Sequence, residues 1–112
     1  MISTKEITEE LKSHPILRHA PGLLDRWKGK EARLFNLTTS HRKIQLKISE
    51  NRYIDSVPYL LISMLEPIKM NGPFDWDHAD LEIQFDGDTY KVIDAKAAFE
   101  ISCNAVSVAE YK

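Results

Sequence analysis

Residues 79–94 read ADLEIQFDGDTYKVID, and this stretch decides the fold. Leu81, Ile83 and Phe85 alternate with Glu82, Gln84 and Asp86, and Tyr90 and Val92 resume the alternation against Lys91 and Ile93 after Asp86-Gly87-Asp88. Period-two apolar spacing on both sides of an Asp-Gly predicts a β-hairpin, because glycine accepts a positive φ that a Cβ would oppose.

Outward from the hairpin the same spacing recurs. Ile44, Leu46 and Ile48 alternate with Lys43, Gln45 and Lys47, predicting a one-sided antiparallel strand over residues 43–49. Residues 32–37 hold Leu34, Phe35 and Leu37 as a further strand, closed by turn chemistry at Thr38-Thr39-Ser40. Residues 57–65 are apolar almost throughout, the pattern of a central strand covered on both sides, with Pro58 at its start where no ladder donor is lost. Residues 50–56 read as a polar loop, and Met70-Asn71-Gly72-Pro73 breaks the chain before the hairpin. Phe99, Ile101, Cys103, Val106 and Val108 then predict one long bent strand or two short ones.

At the N-terminal end Ser3 and Glu6 match a capping box, with Ile7 and Leu11 as a short apolar stripe, so a helix is expected that stops near Ser13 before Pro15. Residues 22–27 fit a single helical turn or a loop whose leucines and Trp27 plug the core. The expectation is an α+β fold, mainly antiparallel β: a sandwich, a small barrel or a curled sheet of six to seven strands with one short N-terminal helix. A chain of 112 residues is expected to form one domain, residues 1–112.

Composition narrows the class. With 43% hydrophobic and 29% charged residues the chain is that of a globular protein, and its longest apolar run is far short of the roughly 20 residues of a membrane span. The first residues, MISTKEITEEL, hold no apolar segment of the signal-peptide kind, and Cys103 stands alone, which fits a reducing, cytoplasmic setting. The net charge of −2 conceals a split. Between Lys12 and Lys47 nine basic residues face two acids, and between Asn71 and Glu100 eight acids face two lysines. An acidic face of this kind attracts basic partners.

Catalytic signatures are missing. Asp75, Asp77, His78 and Asp80 would suit a divalent cation, but their spacing is wrong for a calcium loop, and an acidic turn with Trp76 packed inward is the simpler reading. No metal and no cofactor is expected. Cys103 would need one of His14, His19, His41 or His78 to act as a nucleophile, yet its alternation with Phe99 and Ile101 places it on the apolar face. No nucleophile elbow or phosphate-binding glycine loop is present, so no enzyme is expected. Arg26, Lys28, Lys30, Arg33, Arg42, Lys43 and Lys47 would suit a phosphate backbone, but a pI near 6.1 argues against nucleic acid as the main partner.

The succession YLLISML, GPFDW, LEIQF and VIDAKAAFEISCNAVSV, covering about half the chain, resembles small β-rich bacterial proteins of unassigned or toxin-immunity type. That resemblance implies a protein partner, in particular a basic toxin whose substrate groove an acidic face would cover. Asp75, Asp77, Asp80, Glu82, Asp86 and Asp88 are then the partner-binding candidates, with Trp76 as an aromatic anchor. A second expectation is a small-molecule or carbohydrate binder, or an enzyme built on such a site, with Trp27, Tyr59 and Trp76 lining a cavity. A third is self-association through an edge strand, either residues 43–49 or the C-terminal strand.

Overall fold

The computed structural model describes residues 1–38, 42–51 and 57–112, and their side chains other than those of residues 35–38. The expected turn at residues 39–40 and most of the loop expected over 50–56 lie outside the described residues. The elements in chain order are β1 (Ile2–Ser3), α1 (Glu9–Ser13), a 3₁₀ turn (Leu17–His19), α2 (Ala20–Arg26), β2 (Glu31–Thr38), β3 (Lys43–Ser49), β4 (Tyr59–Asn71), β5 (Asp75–Trp76), β6 (Glu82–Phe85), β7 (Tyr90–Asp94) and β8 (Phe99–Tyr111). Among the described residues no helix is long and apolar enough to cross a membrane.

The eight strands among the described residues belong to one antiparallel sheet in the order β1-β6-β7-β8-β4-β3-β2-β5. Against the six or seven expected, the strands that were not foreseen are β1 and β5, two residues each, too short to leave an alternation signal. The sheet does not close into a barrel, but it curls. Trp76 of β5, at one end of the order, reaches Asp94 of β7 with its indole N–H at 2.7 Å and lies against Phe99 of β8 with ring centroids 4.5 Å apart.

Two long strands carry this curl. The first half of β4 pairs with β3 and with the second half of β8, whereas its second half pairs only with the first half of β8, which in turn pairs with β7. Glu66 sits at the junction with φ of +51°, and Asn104 on the facing strand donates its amide to the Glu66 carboxylate at 2.8 Å. The buried side of β8 changes phase there: Phe99, Ile101 and Cys103 point inward below the junction, and Val106 above it. The register shift between Pro67 and Lys69 accompanies the same bend.

The hairpin forms as its alternation predicts, with Ile83 opposite Val92 and Phe85 opposite Tyr90, all but Phe85 fully or almost fully buried. Residues 43–49 form β3 with β2 on one side and β4 on the other, so this strand has no edge to offer a second copy. Central position therefore removes it from the edge-strand reading, because the ladder groups on both sides are already bonded.

The N-terminal helix starts later than its capping box suggests. Thr8 caps α1 by accepting the Leu11 N–H, while Ser3 belongs to β1, opposite Gln84 of β6. Pairing β1 onto the hairpin buries Ile2, and that tertiary gain outweighs a local cap at Ser3. Consequently Leu11 is in the core and Ile7 is 59% exposed. Of the single helical turn or loop expected over residues 22–27, the helical alternative forms as α2, with Pro21 in its first turn, and it delivers Leu24 and Trp27 to the core. Glu110 of β8 ties it down by accepting the Trp27 indole N–H and an Arg26 N–H, each at 2.7 Å.

Candidate functional site

The candidate acids lie along the hairpin and at its base, and local bonding sets the role of each. At the tip, Gly87 has φ of +107°, and Asp86 Oδ1 accepts the backbone N–H groups of Asp88 at 2.9 Å and Thr89 at 2.8 Å. The Thr89 and Asp88 amides hold the Asp86 carboxyl below the usual carboxylate range. Asp86 is thus fixed in orientation and exposed, and Asp88 beside it is exposed with no side-chain partner among the described residues.

Further down β6, Glu82 is half-buried and accepts the Ser3 hydroxyl at 2.5 Å and the Gln84 amide at 2.9 Å. Asp80, at the base, receives the Lys5 ammonium at 2.5 Å. That hydrogen bond, opposed by partial burial and helped by the charges of Lys5, Lys28 and Lys96, lowers the Asp80 pKa. Asp75 and Asp77 are exposed around the β5 edge, with Asp75 opposite Arg33. The four residues of β6 alone put about 13 Å between tip and base at the usual rise per strand residue. The acids therefore form a tip pair and a base group rather than one patch.

Trp76 is in the core. Only 9% exposed, it packs on Phe99 and donates to Asp94, so the anchor position expected for it on the surface is taken up by structure instead. Trp27, Tyr59 and Trp76 do not share a cavity either. Trp27 lies under α2 against Glu110, Tyr59 stacks on Tyr111 with centroids 5.0 Å apart, and the Lys47 ammonium sits 4.7 Å from the Tyr59 centroid. The basic residues also disperse: Arg26 bonds Glu110, Lys30 pairs with Glu50 at 2.8 Å, and Lys47 is buried.

Sequence reasoning missed two features. Asp94 is 1% exposed and accepts both the Trp76 indole and the Asp80 N–H, the latter at 2.9 Å, which joins β5, the segment before β6, and β7. Its signal was present, since Tyr90, Val92 and Asp94 share one phase of alternation. The other is a cleft of about 430 Å³ at the hairpin base, lined by Lys5, Asp25, Lys28, Asp80, Leu24 and Leu81 among others. It draws on three separate segments, and no local pattern announces it.

Cys103 is fully buried, and burial pushes its thiol pKa up to about 11, which leaves the reactive thiolate scarce at neutral pH. Among the described residues no three His, Cys, Asp or Glu side chains come together in a way that would hold a metal ion. Compared with known proteins, the chain matches no family model, no curated protein and no solved structure.

Proposed function

We propose that the protein is a non-enzymatic module that binds a basic protein partner through the acidic residues of the hairpin. The observation that carries this reading is the tip, where two adjacent carboxylates are exposed on a turn already fixed by hydrogen bonds. A preorganised acidic pair loses little entropy on binding and steers a cationic partner at long range. Asp75 and Asp77 extend the same charge at the base of the hairpin. The resemblance to bacterial immunity proteins narrows the partner to a basic toxin in the cytoplasm, its substrate groove covered by the acids. The cleft lining holds none of Trp27, Tyr59 and Trp76, which favours this reading over an aromatic-lined ligand cavity.

The experiment is affinity capture from the lysate of the source cell, with three baits: the wild-type chain, Asp86→Asn/Asp88→Asn and Asp75→Asn/Asp77→Asn. Asparagine keeps an oxygen that can hold the turn while removing the charge. A stoichiometric basic partner is expected on the wild type and is expected to be lost from the tip variant. Equal retention by all three baits would remove the acidic hairpin from the account.

A further inference from the structure

We infer that the cleft at the hairpin base is a binding site for a small zwitterion with an apolar side chain, of the free α-amino acid class. Its volume of about 430 Å³ lies in the range of small-molecule sites. Its apolar lining comes from Leu24 and Leu81, both buried, with Pro21 and the 59% exposed Ile7.

Charge selects the ligand class. Lys5 and Asp80 neutralise each other on one wall at 2.5 Å. On the other wall stand Asp25 and Lys28, three positions apart on and just beyond α2, and neither has an ion-pair partner within 4.0 Å among the described residues. Both line the cleft and both are exposed. The lining thus carries two positive and two negative charges, one of each uncommitted. A ligand of net charge gains no net attraction from such a wall, and a purely apolar ligand would desolvate Asp25 and Lys28 without repaying them. A zwitterion meets both: its carboxylate faces Lys28, its ammonium faces Asp25, and its side chain covers Leu24 and Leu81.

Gly22 supplies a clean control. It lines the cleft, and a Cβ built on it meets nothing within 4 Å, so a side chain added there starts in open space. Replacing a helical glycine also favours the helix.

The test is titration of the nitrogen-15-labelled full chain with each of the common L-amino acids, following the amide resonances of Lys5, Gly22, Lys28 and Asp80. Saturable shifts at these positions are expected with at least one of leucine, isoleucine, valine, methionine and phenylalanine. The amine and the carboxylic acid that each lack one charge of that amino acid are expected to bind about tenfold more weakly or worse. Lys28→Met is expected to abolish the preference for the amino acid over its amine. Gly22→Leu is expected to abolish binding while keeping or raising the Tm. Absence of saturable shifts with all five apolar amino acids would overturn the assignment, as would equal binding of the singly charged analogues or unchanged binding to Gly22→Leu.

Discussion

Asp94 is the residue on which the candidate site physically rests. Its carboxylate takes the Trp76 indole N–H and the Asp80 backbone N–H, and truncation would leave both donors without a partner, the indole in the core. Asp94→Ala is expected to cost about 2–4 kcal/mol in urea unfolding, and Asp94→Asn, which retains one acceptor, clearly less. Asp80 gives a pH signature. Its pKa is depressed by Lys5, so the pair contributes stability that is fully present above the unfolded carboxylate value and is lost as pH falls through the folded one. Lys5→Met is expected to destabilise by about 0.5–1 kcal/mol at neutral pH, and the difference from wild type is expected to vanish in unfolding curves measured well below pH ~3.8. At this scale the sequence was readable where alternation applied. Leu81, Ile83, Tyr90 and Val92 are inward as their phase predicts, and following that phase one step further would have found Asp94. Lys5 was not readable, because its partner Asp80 lies 75 positions away.

Among the elements, the hairpin declared itself and the breaks around it shaped its setting. Gly72 closes the turn between β4 and β5 with φ of +123°, and a Cβ there would lie 2.7 Å from the Phe99 Cα and 2.8 Å from the Ala98 carbonyl oxygen. Both are backbone atoms, so neither can swing aside. Gly72→Ala is expected to cost roughly 2–4 kcal/mol, read from the urea midpoint, with the Trp76–Phe99 contact disturbed in the near-ultraviolet circular dichroism. Helices were less legible than strands for a physical reason. With five residues in α1 and seven in α2, neither can nucleate stably by itself, and each exists because it covers the sheet. The Ser3–Glu6 spacing is a true local signal, but β1 pairing with β6 claims Ser3 first.

Over the whole molecule, the bend shared by β4 and β8 organises everything else. One wing of the sheet, β2-β3 with half of each long strand, carries the basic segment, and the other, β1-β6-β7 with the remaining halves, carries the acidic hairpin. The charge split along the sequence is not kept across the sheet, since β5 sets Asp75 opposite Arg33 of β2 and Lys28 lies with Asp80 at the hairpin base. The bend was half visible, since Val106 breaks the phase set by Phe99, Ile101 and Cys103. The cleft was invisible, because it exists only after three segments meet. The central claim is that exposed acids on a prefixed turn bind a basic protein. Its most direct test is the affinity of the captured partner for wild type and for Asp86→Asn/Asp88→Asn, each at low and at high salt. The account predicts binding that weakens steeply with salt and a variant weaker by roughly tenfold or more at low salt, the two losses converging as screening rises. Affinity indifferent to salt, or unchanged in the variant at low salt, would contradict it.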